Sequence, residues 1–247
     1  MVRKYFDAHT HYPPEKGRES VYHCVNSVSQ EDWDALIQLS HSRSDIIPFF
    51  GIHPWHVTTT NLGWEEKLRQ SVLTVKESRP VGIGECGLDR SRNSFELQRE
   101  ICRTQFKIAR DIGVPLSIHC VRAWSDLLEL LKTIKMQDVP IMLHSFAGNK
   151  EIALLLQRWN VFFSIKLCKG NERGTDGSSS ILEKAKATIL FIPRERLLLE
   201  SDSQSEVSSA HQPIERSYSL AAQLLDISEQ ECVEVIEENF NRYIRKP

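Results

Sequence analysis

Residues 80–120 read PVGIGECGLDRSRNSFELQREICRTQFKIARDIGVPLSIHC, and this stretch decides the architecture. A short apolar run through Val81, Ile83 and Leu88 comes first. In the following segment Leu97, Ile101, Phe106 and Ile108–Ala109 recur at roughly the 3.6-residue spacing of one helix face. Gly113 stands where such a helix would stop, and a second apolar run follows at once in VPLSIHC. The pattern is strand, helix, strand.

Outward from this unit the same alternation holds. The eight strand candidates are KYFDAHTH (4–11), YHCVNSVS (22–29), DIIPFFGIHP (45–54), PVGIGECGLD (80–89), VPLSIHC (114–120), VPIMLHSF (139–146), NVFFSIKL (160–167) and RLLLESDS (196–203). Further helical patterns lie at 122–135, 180–191, 213–226 and 228–244. The last is opened by Ser228 with acidic residues behind it. Eight strands alternating with helices in 247 residues predict an α/β fold, a (β/α)8 TIM barrel, as a single domain over 1–247. A doubly wound open sheet is the runner-up, but no glycine-rich phosphate turn follows the first strand. Lys169–Ser180, KGNERGTDGSSS, reads as a surface loop.

In such a barrel the C-terminal strand ends converge on one face, where enzymes of this fold do their chemistry. His9 and His11 stand at the end of the first strand, His53 at the third, Glu85 and Asp89 at the fourth, His119 at the fifth, His144 at the sixth and Asp202 at the eighth. Each histidine alone is an ordinary capped core residue. Ligand-type residues at the same topological position on so many strands are not explained that way. His9 and His11 obey period two, so both leave one face of the strand. Asp7 shares that face, as an acceptor orienting a ligating histidine or as a buried salt bridge. Six candidate ligands, His9, His11, Glu85, His119, His144 and Asp202, exceed what one tetrahedral ion needs. They suit two divalent ions, zinc, magnesium or manganese, with Glu85 as the bridge.

Composition sets outer limits. Apolar residues make up 40% and charged residues 26%, ordinary for a soluble globular protein. A net charge of -2 gives no general attraction to nucleic acid or anionic membranes, though a metal cluster handles a phosphate without it. Cys24, Cys86, Cys102, Cys120, Cys168 and Cys232 form no CxxC pair and read as buried thiols of a reducing compartment. Cys86 and Cys120 each follow a ligand candidate and so point away from it. The first residues carry no signal peptide, no run is long enough to span a bilayer, and a cytoplasmic protein is the expectation.

DAHTH, GIHP (51–54), GECGLD (84–89), LSIHC (116–120), LHSFAG (143–148) and LLLESD (197–202), in this order across nearly the whole chain, resemble the TatD family of metal-dependent hydrolases in the amidohydrolase-like superfamily. The resemblance implies a (β/α)8 barrel with a two-metal centre and hydrolysis of phosphodiester bonds, as a deoxyribonuclease of the 3′–5′ exonuclease type with DNA as its substrate. Its paired histidines fall on His9 and His11, its bridging glutamate on Glu85, its later ligands on His119 and His144, and its terminal aspartate on Asp202. Tyr12 stands where leucine is common, Ser201 replaces a threonine, and Gln204 a frequent proline. SSAHQPIERS (208–217) replaces the usual arginine-asparagine-proline stretch, and the loop after the seventh strand is also altered.

The expected mechanism activates water between two ions, with Asp202 orienting it and taking its proton. His53 is a candidate donor to a phosphate oxygen or leaving group, or else a residue that shapes its loop. Arg122, Lys166 and Lys169 are candidate phosphate contacts or solvated surface charges. Trp55 and His56 would stack a base at the mouth or pack the loop. An amidohydrolase or lactonase acting on a small molecule is the second reading, because barrel and metals do not fix the scissile bond. A non-catalytic metal-binding scaffold is the third.

Overall fold

The computed structural model describes residues 4–13, 20–167, 177–203 and 214–244, with the backbone alone over 177–182. Cys168, Lys169, Gln204 and most of the loops following the seventh and eighth strands lie outside the described residues. Eight parallel strands run in sequence order: β1 (Tyr5–Thr10), β2 (Val21–Asn26), β3 (Ile46–Phe50), β4 (Gly82–Asp89), β5 (Leu116–Val121), β6 (Ile141–Leu143), β7 (Val161–Ile165) and β8 (Leu197–Leu199). Each coincides with an apolar run expected from the sequence. Strands covered on both faces must be apolar on both, which is why they stand out as runs.

Among the described residues eight α-helices pack around and beneath the strands: α1 (Trp33–Ser42), α2 (Trp64–Lys76), α3 (Phe95–Ile112), α4 (Trp124–Ile134), α5 (Lys150–Leu156), α6 (Gly177–Ile189), α7 (Ile214–Leu225) and α8 (Glu229–Ile244). Gly113 ends α3 as expected, with φ 70° and its N–H donating to the Ala109 carbonyl at 2.8 Å. The Ser228 hydroxyl caps α8, accepting from the Glu231 N–H at 3.0 Å. Two expectations shift. Of the loop expected over Lys169–Ser180, residues 169–176 lie outside the described residues and Gly177–Ser180 belong to α6. Three helices, α1, α2 and α5, were not singled out by periodicity; α5 has only seven residues.

The barrel closes through the residues that follow β8. The Asp202 N–H donates to the His9 carbonyl at 2.9 Å, and the His11 N–H to the Ser203 carbonyl at 3.1 Å. Closure itself therefore brings the first and last candidate ligands side by side. Under the barrel, α8 places Phe240 against Phe6, ring centroids 4.5 Å apart, and the Tyr243 hydroxyl on the Leu116 carbonyl at 3.1 Å. No helix among the described residues is long and apolar enough to cross a membrane.

Candidate metal centre

Glu85 sits within β4, 2% exposed, with its carboxylate in the middle of five imidazoles. Crowding by the neighbouring strands explains the glycines around it. A Cβ on Gly84 would meet the Ser117 Cβ at 2.7 Å and Asn26 Oδ1 at 2.8 Å. Gly87 has φ 144°, and a Cβ there would collide with the His119 carbonyl. The β1–β2 register slips between Asp7 and Thr10, and the β4–β5 register between Ile83 and Cys86. Such irregularities re-aim side chains next to functional sites, and these two flank His9 and Glu85.

The two carboxylate oxygens face different partners. Oε2 lies 3.1 Å from His11 Nε2 and 3.4 Å from His9 Nε2. Oε1 lies 2.9 Å from His119 Nδ1, 3.0 Å from His144 Nε2 and 3.3 Å from His53 Nε2. His9 and His11 meet at 3.4 Å through their Nε2 atoms, as the alternation required, and His119 Nδ1 meets His144 Nε2 at 3.4 Å. Ligand atoms about 2.0–2.1 Å from a tetrahedral ion are roughly 3.3 Å from one another, so both clusters have the dimensions of a coordination shell. Asp202 Oδ1 joins the first, 4.0 Å from His11 Nε2.

Hydrogen bonds behind the site fix the imidazoles. His11 Nδ1 donates to the Asn26 carbonyl at 2.9 Å, which turns Nε2 inward as the atom that a cation would meet once its proton is displaced. His9 Nδ1 lies 3.0 Å from the Ser117 hydroxyl. His53 Nδ1 accepts the Trp55 N–H at 3.2 Å, so its proton sits on Nε2. At the same time His119 Nε2, His144 Nδ1 and Glu200 Oε2 are buried without a hydrogen-bond partner among the described residues. Converging lone pairs, a central carboxylate and orphaned polar atoms are what a cation-binding cluster of this donor type requires. The residues fit divalent ions.

The electrostatics agree. Burial opposes ionisation of Glu85, but the electrostatic pull of His144 and His53 beside it and its hydrogen bonds with His11 and His119 hold its pKa well below the usual carboxylate value. Burial also works against a charged His144, yet Glu85 and Glu200 outweigh it and raise its pKa well above 6.5. His11 is raised in the same way against its burial, by Glu85 and then Asp202. Burial, reinforced by His144, lowers His9. Burial pushes His53 down to about 4, so it is a neutral donor near pH 7. The metal-free cluster thus carries protons where the donor set would otherwise hold cations.

Other expected residues fall in mixed positions. Asp7 does not orient a ligating histidine. Its carboxylate accepts the Ser201 N–H and hydroxyl and lies 3.3 Å from His23 Nδ1. Lys166 turns inward, its ammonium 3.2 Å from both the Asp202 carboxylate and the Asp202 carbonyl. Arg122 is exposed past β5 with φ 52° and does not line the cavity above the cluster. Trp55 and His56 do line it. Cys86 is fully buried, and burial raises its thiol well above the usual value. Cys120 is pushed up to about 12, again by burial, so neither thiol is available as thiolate near neutral pH.

Glu200 was missed by the sequence reading. It is fully buried, accepts the Ser145 N–H at 2.9 Å and the Ser145 hydroxyl at 2.5 Å, and lies 3.5 Å from His144 Nδ1. The signal was there in ESD: Glu200 and Asp202 stand two residues apart, as His9 and His11 do.

A family model described as TatD related DNase matches residues 6–245. YabD of Bacillus subtilis (strain 168), an uncharacterized metal-dependent hydrolase, is 24% identical over 209 residues, 80% of this chain and 79% of YabD. The 3'-5' ssDNA/RNA exonuclease TatD of Yersinia pseudotuberculosis is 30% identical over 158 residues, covering 62% of this chain. That match spans 56% of the exonuclease, little more than half its length. The crystal structure of YJJV, a TatD homolog from Escherichia coli K12, matches in fold with a TM-score of 0.82 at 20% identity, all of both chains being covered.

Proposed function

The chain belongs to the family of TatD-related DNases, and from that premise we propose that it is a two-metal phosphodiesterase trimming single-stranded nucleic acid from the 3′ end. The observation that carries the reading is the division of Glu85: Oε2 faces His9 and His11, and Oε1 faces His119, His144 and His53. Two divalent ions, one held by His9, His11 and Asp202 and the other by His119 and His144, with Glu85 shared by both sets, would supply the charge that acidifies water and neutralises the phosphoryl oxygens.

The chain's own groups do the rest. Asp202, held by its N–H on His9 and by Lys166, accepts the proton of the attacking water. His53, neutral and protonated at Nε2, donates a hydrogen bond to a phosphoryl or leaving oxygen. Asn26 and Ser117 keep His11 and His9 in one orientation. The cavity above, about 960 Å³, has room for a terminal nucleotide, with Trp55 at its mouth.

The test is end-labelled single-stranded DNA and RNA with manganese, magnesium or zinc, with and without a chelator. Stepwise metal-dependent shortening from the 3′ end is the expected result. The second reading, a lactonase or amidohydrolase, draws on one observation: no lysine or arginine is among the described residues lining the cavity. Cleavage of an amide or lactone by a protein that leaves both nucleic acids intact would decide for it.

A further inference from the structure

We infer that Arg92, carried on the indole of Trp55, binds a phosphate flanking the scissile one and thereby selects a polynucleotide over a lone diester. The inference rests on the nuclease reading and supplies what that reading lacks. The cavity is lined by Asp32, Glu85 and Asp202 but by no lysine or arginine. Ions at the cluster answer the charge of the scissile phosphate only. Every further phosphate of a strand brings its own charge, and contacts to these phosphates fix the register of the chain.

Most cations near the mouth are committed. Lys166 is bound to Asp202. Arg90 makes a two-pronged pair with Asp126, at 2.7 to 3.0 Å, and also covers the Phe95 ring. Arg122, like Arg92, lies outside the cavity lining, but it stacks on none of the lining aromatic rings among the described residues. Arg92 differs from all three. It is exposed, its guanidinium carbon lies 4.1 Å from the centroid of the Trp55 ring, and that guanidinium has no hydrogen bond or ion pair among the described residues. A guanidinium over an aromatic face keeps its N–H edge available for an anion.

The platform beneath it is fixed. Trp55 Nε1 donates to Asp89 Oδ2 at 2.7 Å, and Asp89 Oδ1 is held by the Ser91 N–H at 2.9 Å and the Ser91 hydroxyl at 2.6 Å. The Arg92 N–H donates to the Asp89 carbonyl at 3.2 Å, so the arginine and its support share one turn. Trp55 lines the cavity and approaches His119 with ring centroids 6.3 Å apart. Through Trp55, with 4.1 Å on one side and 6.3 Å on the other, the Arg92 guanidinium lies no more than about 10 Å from the His119 ring, a span of roughly one or two nucleotide steps. The charge is preorganised, and little side-chain entropy is lost when a phosphate arrives.

The experiment compares metal-loaded wild type with Arg92→Gln on a short single-stranded oligothymidylate and on bis(p-nitrophenyl) phosphate, which has one phosphate. Arg92→Gln is expected to lower the ratio of kcat/KM for oligonucleotide over small diester roughly tenfold, through KM, and to reduce the salt slope by about 0.7. Arg92→Lys, which keeps the charge, recovers most of the salt slope. An unchanged ratio with an unchanged slope overturns the inference. If the wild type hydrolyses neither substrate, the nuclease reading falls separately. Binding of fluorescent oligothymidylate to the calcium-loaded protein then decides, and equal affinity of wild type and Arg92→Gln overturns the role of Arg92.

Discussion

Asp7, at the buried heart of β1, accepts both the N–H of Ser201 at 2.8 Å and its hydroxyl at 2.6 Å across 194 residues of sequence. The clamp holds the residue immediately before Asp202, whose own φ of 44° is unusual for a residue other than glycine. Asp7→Ala leaves the Ser201 N–H and hydroxyl and the neighbouring His23 without that carboxylate, at a cost of about 3 kcal/mol. Tm should fall by roughly 10 °C. Ser201→Thr keeps both donors and should stay near wild type, whereas Ser201→Ala loses one bond and about 1 kcal/mol. Thermal unfolding of the three variants checks the order, and equal stability of Asp7→Ala and wild type would refute the clamp.

Glu85→Gln keeps the volume of the side chain and removes the charge shared by both clusters. With the proposed two-metal centre, the variant should retain one ion or none per chain, and turnover should fall by more than about a hundredfold. Metal analysis of the purified, re-loaded variant is the measurement. A variant that keeps two ions would remove Glu85 from the role of bridge.

The strands and the first pair of candidate ligands are legible because their causes are local. A strand covered on both faces shows itself as an apolar run, and period two puts His9 beside His11. What was hidden depends on contacts between distant segments. The Asn26 carbonyl that turns His11, the Ser117 hydroxyl behind His9 and the inward reach of Lys166 have no local signature. The register shifts at β1 and β4 are likewise properties of strand pairs and not of either strand alone. For Asp7, alternation gives the face but not the neighbour, so it leaves open an acceptor for a ligating histidine and a buried ion pair; the pairing with His23 matches the second. α1 and α2 escaped because a polar residue breaks the apolar period of each buried face, Ser40 beside Trp33 and Leu36 in α1 and Ser71 beside Leu68, Val72 and Val75 in α2.

The raised pKa values of His11 and His144 come from carboxylates that overcome the penalty of burial: Glu85 and Asp202 for the first, Glu85 and Glu200 for the second. A cation must displace those protons, so loading near pH 7 releases protons and apparent affinity climbs with pH. Stability of the metal-free protein runs the other way above pH 6.5. A folded pKa above the unfolded one stabilises fully below the unfolded value, and the gain is lost as pH rises through the folded value. His9 and His53, lowered by burial, act on the acid side, with His53 down at about 4. There the unfolded chain binds protons that the native state refuses, so stability falls as pH drops below 6.5. Metal-free protein should therefore be most stable near pH 6.5. Calorimetric titrations in buffers of different ionisation enthalpy count the protons, and a count of zero at pH 7 contradicts the assignment.

Glu200 stands behind His144, with Oε1 3.5 Å from Nδ1 and both Ser145 donors on the same oxygen. Its charge raises the basicity of an imidazole whose other nitrogen faces Glu85 at 3.0 Å. Glu200→Gln preserves shape and the contacts to Ser145 but removes that charge. Metal affinity should drop about 10- to 100-fold, the usual penalty for losing a partner behind a ligand, while the number of ions bound at saturation stays the same. Competition against a chelating dye separates the two quantities. A fall in saturating stoichiometry would make Glu200 a direct ligand instead, and wild-type affinity would leave it without influence on His144.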